Sequence, residues 1–314
     1  MEKETDYSLL ENAIRKHNIE EVKKLISNGV DTNAKGDSFG TTPLMIASGW
    51  GCAKIIKLLL SAGANIHATD EKGDGALIKS YTKQIADMLI KAGAKTSPEI
   101  KFILACRFGE YKKVKEALKA GIPPDTKNNW GDTALMETSH AQIANLLIDS
   151  GANVNARSEF DWTPLMRASV AGYTNIVKIL ISSGSDVNQQ RKVLKTEAIH
   201  YARNTQITKM LIEAGAKVNS KDHMLRTPLH YARNGKIAKI LIDAGANVNA
   251  MDLKKRTPLI RAAEFKGIDL VKVLIETGAD INKKDEQSFT ALMWAKKKKK
   301  YKIAKLLQAA GAVA

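Results

Sequence analysis

An all-α solenoid of stacked helix-turn-helix units is the fold this sequence predicts, and three observations carry the prediction. A glycine recurs at Gly29, Gly63, Gly93, Gly121, Gly151, Gly184, Gly215, Gly245, Gly278 and Gly311, at intervals of 28 to 34 residues along a chain of 314. Whole segments repeat unchanged, GANVNA at 151–156 and 245–250 and HYARN at 200–204 and 230–234. Between consecutive glycines lie two apolar stripes at helical spacing, too short to enclose a core, so each unit must bury its face against its neighbours. The chain reads as a single solenoid over 1–314, with repeats at approximately 5–37, 38–70, 71–97, 98–128, 129–157, 158–190, 191–221, 222–251, 252–284 and 285–314.

The segment WTPLMRASVAGYTNIVKILISSGSDVN, at 162–188, justifies the elements in order. Thr163 is placed to cap a first helix with its hydroxyl, and Pro164 follows where its missing N–H costs nothing. Leu165, Ala168 and Ser169 give that helix a face with two small residues, which lets a neighbour approach closely. Gly172 breaks it. Ile176, Val177, Ile179, Leu180 and Ile181 supply the apolar stripe of a second helix, ended by Gly184 at a left-handed cap. Asp186 and Asn188 then favour a turn.

Two kinds of unit are distinguishable. From the capping position to the closing glycine there are 21 residues in the full units, as in Thr42 to Gly63, Thr163 to Gly184, Thr257 to Gly278 and Thr290 to Gly311. The distance falls to 18 in Gly75 to Gly93, Thr133 to Gly151, Glu197 to Gly215 and Thr227 to Gly245. The missing three residues predict a shortened first helix or a tighter turn there. Between Gly93 and Ile100 no room remains for a hairpin before the next unit, and Ser97, Pro98 and Glu99 read as a fresh helix start.

These units resemble the ankyrin repeat, whose signature is T-P-L-H-x-A followed by a second helix and G-A-x-x-N. TPLM stands at 42–45 and 163–166, TPLH at 227–230 and TPLI at 257–260, with weaker forms TALM at 133–136 and 290–293, EAIH at 197–200 and GALI at 75–78. The resemblance implies an ankyrin solenoid with short finger hairpins or loops between units. It also implies that partners are held by the finger before T-P-L-H and by the exposed end of the first helix. The His of T-P-L-H, at His200 and His230, is implied to be a structural hydrogen-bonding residue.

The chemistry of a catalytic or cofactor site is not written in the sequence. It has no Walker loop, no G-x-G-x-x-G, no H-E-x-x-H and no C-x-x-C, and His17, His67, His140, His200, His223 and His230 do not fall at ligand spacing. Cys52 and Cys106 are too few for a disulfide framework or a four-thiolate zinc site, and neither has a base at hand in the sequence. The expectation is a non-enzyme without catalytic, cofactor or metal residues. The acidic start Met1–Ile14 lacks an apolar segment, and the longest apolar runs are soon broken by charge, so neither a signal peptide nor a membrane span is expected. A monomer in the cytoplasm is expected, with delivery into a host cell left open.

Two surface features point to binding. Counting from the caps, the fingers present Phe39, Trp130, Phe160, Trp162 and Phe289, while Trp50, Phe108 and Phe265 end first helices; these are 8 of the 17 aromatic residues. Aromatic side chains at turns suit a protein partner better than a solvated loop, although packing between fingers would also place them there. Charge is the second feature. The net +16 is carried almost wholly by residues 191–314, with 26 basic and 11 acidic residues. Arg191, Lys192 and Lys195, then Lys221 and Arg226, then Lys254, Lys255 and Arg256, then Lys283 and Lys284 fall on successive fingers. The reading is a scaffold that binds another protein, one with an acidic surface, along its finger and inner-helix face. The alternative is electrostatic binding of nucleic acid or an anionic membrane by 191–314.

Overall fold

The computed structural model describes residues 6–36, 39–265 and 267–313; the expected repeat limits at 5, 37, 38 and 314, and the first five residues of the acidic start, lie outside them. The chain packs as two compact units, one ending at Leu146 and one beginning at Leu147. That boundary falls inside a helix, where no linker composition could announce it.

The first unit is built from the pairs α1 (Asp6–Arg15) and α2 (Ile19–Ser27), α3 (Pro43–Gly49) and α4 (Ala53–Ser61), α6 (Pro98–Phe108) and α7 (Tyr111–Lys119), and α8 (Ala134–Glu137) and α9 (Ala141–Asp149). Its third repeat has turns at 76–79 in place of a first helix, followed by α5 (Lys83–Lys91). The second unit holds α10 (Pro164–Ala171) and α11 (Thr174–Ser182), a 3₁₀ turn (Ala198–Tyr201) and α12 (Thr205–Glu213), and α13 (Pro228–Tyr231) and α14 (Gly235–Asp243). It continues with α15 (Pro258–Phe265) and α16 (Ile268–Glu276), and α17 (Ala291–Lys297) and α18 (Tyr301–Ala309). Within this unit first helices pack on first helices, α15 on α17, and second on second, α14 on α16. Among the described residues there are no strands, only isolated bridges at Thr69 with Gly75 and Lys127 with Thr133, so the fingers are turns rather than extended hairpins.

The capping chemistry is as the sequence required. The hydroxyls of Thr42, Ser97, Thr163 and Thr290 accept the N–H of Met45, Ile100, Met166 and Met293 at 3.2 to 3.4 Å. All ten recurring glycines have φ between 82° and 99°. A Cβ built on any of the ten, Gly245 for example, would meet no atom within 4 Å. The left-handed backbone, and not crowding, therefore demands glycine.

The shortened repeats lose their first helix to four residues, as in α8 and α13, or to a 3₁₀ turn or plain turns. The deletion also removes the left-handed glycine that leads into the second helix, and a side-chain cap replaces it. Thr82, Asn204 and Asn234 accept from Ile85, Ile207 and Ile237. In the full repeats Cys52, Glu110, Tyr173 and Lys300 stand at that position without a side-chain cap.

The Asn of G-A-x-x-N is a clamp between repeats. Asn219 Nδ2 donates to Gly245 O at 2.8 Å, and Asn219 Oδ1 accepts from Asn247 N at 2.8 Å. The same two bonds run from Asn155 to Gly184 and Asp186, from Asn188 to Gly215 and Lys217, from Asn249 to Gly278 and Asp280, and from Asn282 to Gly311 and Val313. In the first unit Asn33 makes it to Gly63 and Asn65, whereas His67, Ser97 and Asp125 stand at the next three equivalent positions.

Candidate functional site

Five fingers are closed at their root by a polar side chain, buried except for the half-buried Asn128, whose two ends do different work. One oxygen of Asp70, Asn128, Asp222, Asp252 and Asp285 accepts backbone N–H groups two and four residues on, which shapes the turn. The other end binds a first-helix or equivalent side chain nine residues on. Lys79 pairs with Asp70 at 2.7 Å, Asn128 donates to Glu137 at 2.7 Å, Tyr231 donates to Asp222 at 2.5 Å, Arg261 lies 3.9 Å from Asp252, and Trp294 donates to Asp285 at 2.7 Å. In these five repeats the finger and the first helix, or the turns in its place, thus form one fixed face. Arg191 takes the acid's place in its own repeat and donates to Tyr201 Oη at 3.2 Å.

The eight aromatic residues divide into two groups. Phe39 and Trp50 in the first unit and Phe160 and Phe265 in the second remain 44 to 54% exposed. Arg15 lies over Trp50 at 5.4 Å, and Arg261 and Lys298 each lie 5.7 Å from the Phe265 ring. The other four are drawn inward, contrary to the solvent-facing positions expected from the sequence. Phe108 packs on the core of the first unit. Trp130 donates its indole N–H to Asp74, whose other oxygen accepts from Asn129 at 3.0 Å. Because the fourth repeat has no finger, the fifth reaches back across the gap. Trp130 also meets Phe39 at 6.1 Å. Burial pushes the Asp74 carboxyl above its ordinary range, against the opposing pull of the Trp130 hydrogen bond. Trp162 stacks on Tyr201 at 4.8 Å with Arg167 and Arg191 over it at 4.7 and 4.6 Å. Phe289 packs on Trp294 at 5.2 Å under Lys297.

The basic column divides by residue type. Arg191, Arg226 and Arg256 turn inward, the first onto Trp162 and the other two to 3.7 and 3.2 Å from Asp252. Burial, with Arg226 and Arg256 beside it, lowers the Arg261 guanidinium below its usual value. Lys192, Lys195, Lys221, Lys254, Lys255, Lys283 and Lys284 stay exposed. The arginine part of the expected column is therefore a structural network, since a planar guanidinium can bind a carboxylate and a ring at once, and the lysines carry the free charge.

Cys52 had no base indicated in the sequence, and the fold supplies one: its Sγ lies 3.1 Å from Nδ1 and 3.7 Å from Nε2 of His17. Similar distances to both nitrogens put the sulfur off the lone-pair axis of either, and burial raises the thiol. This is a packing contact, not an activated nucleophile. Cys106 is fully buried, and burial with the nearby Glu137 charge pushes its thiol up to about 12. His200 and His230 accept the N–H of Glu197 and Thr227 on Nδ1, each at 3.1 Å, which is the structural role implied by the resemblance. Among the described residues no group of three or more His, Cys, Asp or Glu side chains gathers to hold a metal, and no helix is long and apolar enough to cross a membrane.

The sequence reading missed an aliphatic set in the second unit: Val193, Leu225, Met251 and Leu253 are 39 to 79% exposed on or beside three consecutive fingers. Their signal was legible in KVLK, HMLR and DLKK, where turn segments carry aliphatic residues between lysines and arginines.

A family profile described as Ankyrin repeats (3 copies) matches residues 2–98, 102–191, 189–252 and 234–313. The chain is similar to Potassium channel AKT2/3 of Arabidopsis thaliana, 36% identical over 146 residues that cover 43% of this chain and 18% of the channel. It is similar to Rabankyrin-5 of Homo sapiens, 29% identical over 220 residues, 60% of this chain and 18% of that protein. It is also similar to the ankyrin repeat protein YahD of Escherichia coli, 28% identical over 199 residues, 57% of this chain and 96% of YahD. The chain spans 18% of the length of the potassium channel and 29 and 9% of two further relatives, so it matches only part of those proteins. From its caps, left-handed glycines and asparagine clamps to these matches, the chain belongs to the ankyrin-repeat family.

Proposed function

We propose that this chain is a non-enzymatic scaffold that binds another protein through the finger and first-helix face of its repeats. The observation that carries the reading is the exposure of Phe39, Trp50, Phe160 and Phe265, by about half each, on fingers and first-helix ends, with Phe265 on the helix that Arg261 ties to the finger acid Asp252. Rigid, half-exposed aromatic side chains lose little entropy on burial and dominate interface energetics. The exposed lysines of residues 191–314 steer an acidic partner to this face. The reading includes a cytoplasmic location, supported by two buried cysteines that remain free thiols.

The second reading is electrostatic binding of nucleic acid or anionic lipid, favoured by the seven exposed finger lysines. Against it stands the inward use of Arg191, Arg226 and Arg256, which removes the bidentate donors that phosphate recognition prefers.

Affinity capture from a lysate, with nuclease-treated and untreated halves eluted in salt steps, tests the two together. A stoichiometric protein retained through high salt after nuclease, and lost with the quadruple variant Phe39→Ala, Trp50→Ala, Phe160→Ala, Phe265→Ala, is the expected result. Release of nucleic acid or lipid alone at moderate salt overturns it.

A further inference from the structure

In the second unit, the fingers at 191–196, 222–226 and 252–256 are joined edge to edge by backbone hydrogen bonds. His223 N donates to Leu194 O at 3.0 Å, Leu253 N to Met224 O at 2.9 Å, and Glu286 N of the next finger to Lys254 O at 2.9 Å. The result is a fixed row of turns, each of which presents an exposed aliphatic side chain, Val193, Leu225 and Leu253 in turn. Two backbone segments per finger, each about 4.8 Å from the next, give that row a period of about 10 Å.

The side chains on this row are not those a solvated turn would select. Val193 and Leu253 occupy matching positions in their fingers and are 79 and 53% exposed; the finger between them has His223 at that position and presents its aliphatic group, Leu225, two residues further on. Leu225 sits at φ 58°, where other fingers place Gly73 and Gly131. A branched side chain in the left-handed region costs conformational energy, and at this site it covers no core. Leu225 and Met251 instead line a cleft of about 660 Å³ whose walls include Lys221, Lys255 and Asn249. The row thus alternates aliphatic groups with the exposed Lys192, Lys195, Lys221, Lys254 and Lys255.

We propose that this finger row docks an extended acidic segment of a partner protein that carries an apolar residue at every third position. The inference rests on the protein-binding reading above and names the partner's chemistry. An extended chain with three residues per turn and about 3.1 Å per residue returns a side chain to the same face every 9 to 10 Å, which matches the finger period. Its apolar residues meet Val193, Leu225 and Leu253, its carboxylates meet the lysines, and it passes over the mouth of the cleft beside Leu225 and Met251. A bilayer surface cannot enter a cleft between two fingers. A single nucleic-acid strand would call for aromatic stacking platforms, and this row is aliphatic.

The test uses the full chain and four labelled probes: the peptides (Glu-Glu-Leu)₆ and (Glu-Glu-Ser)₆, phosphatidylserine vesicles, and a single-stranded DNA 20-mer. The leucine peptide should bind at least about tenfold tighter than the serine peptide, an advantage equivalent to 1.4 kcal/mol. The double variant Val193→Ser, Leu253→Ser should erase that advantage while leaving the weaker serine peptide unaffected, and Lys254→Glu, Lys255→Glu should weaken both. Both pairs are exposed, and an unchanged thermal midpoint confirms the fold. Equal binding of the two peptides overturns the proposal, as does vesicle or DNA binding that is lost with the double serine variant. Such a result leaves the aromatic face, assayed by lysate capture with the quadruple alanine variant, as an independent question.

Discussion

Trp294 donates its indole N–H to Asp285 at 2.7 Å, nine residues earlier in the chain, and both side chains are buried. The other oxygen of Asp285 holds Gln287 N and Phe289 N. One carboxylate therefore sets the finger turn and ties it to α17. Trp294→Phe keeps the ring and removes only the donor, leaving a buried carboxylate oxygen unpaired. The expected loss is about 1.5–3 kcal/mol, the range for hydrogen bonds to charged groups, read as a lower midpoint in urea with unchanged slope. Asp285→Asn keeps one acceptor oxygen for the turn but sets its amide NH2 against the indole N–H, two donors face to face, and should cost at least as much.

That relationship shows where sequence reading stops. The caps Thr42, Thr163 and Thr290, the glycines and the shortened first helices were all legible, because each is a local rule acting over a few residues. The nine-residue tie was not, because its partner changes from Lys79 to Glu137, Tyr231, Arg261 and Trp294, and no single residue type recurs. For the same reason Trp162 and Arg191 looked like surface residues. Their positions were read correctly from the register, but a turn that folds a ring between two guanidinium groups is a tertiary event. The aliphatic finger set was visible in the letters and passed over in favour of aromatic residues.

The asparagine clamps predict unequal protection. Asn219 ties Gly245 and Asn247 by two bonds, and five such clamps run through the second unit, whereas His67, Ser97 and Asp125 replace the residue in the first. Native-state hydrogen exchange should show the inter-repeat turns after Gly184, Gly215, Gly245 and Gly278 more protected than those after Gly93 and Gly121. Asn219→Ala should raise exchange at Asn247 and lower stability by about 1 kcal/mol, since each exposed bond nets only about 0.5–1.5 kcal/mol.

His230 makes stability depend on pH. Its Nδ1 accepts from Thr227 N and its Nε2 faces Arg256 O, each at 3.1 Å, so the neutral ring with a proton on Nε2 satisfies both. A second proton on Nδ1 would point at another N–H, and burial opposes the charge, so the imidazole is lowered from 6.5 to about 4. The unfolded chain therefore binds the proton first. Stability from this residue is complete above about pH 6.5, declines as pH falls toward 4, and the total loss is about 3 kcal/mol at 1.36 kcal/mol per unit. Denaturant melts at pH 7, 5.5 and 4.5 should show this slope, and His230→Gln should reduce it, leaving the part due to His200, which burial also lowers. A wild-type slope unchanged in the variant would place the titration elsewhere.

The division of the aromatic residues makes a paired prediction. Trp162 lies between Arg167 and Arg191 and against Tyr201, while Phe160, two residues earlier, is 44% exposed. Trp162→Ala should lower stability by about 2 kcal/mol, less than the 3–5 kcal/mol of a fully buried ring, because it removes a stack that also holds two cations. Phe160→Ala should stay within about 0.5 kcal/mol of the wild type, as surface substitutions do. In partner capture the order reverses. Phe160→Ala and Phe265→Ala, which leave the fold intact, should lower retention at least about tenfold together, each ring contributing the more than 1 kcal/mol typical of an interface anchor. Trp162→Ala should lower retention only in proportion to its loss of folded protein. Measuring both quantities on the same variants separates a ring that builds the surface from a ring that meets the partner. Loss of capture by Trp162→Ala at full folded population would move the contact onto the stacked ring itself.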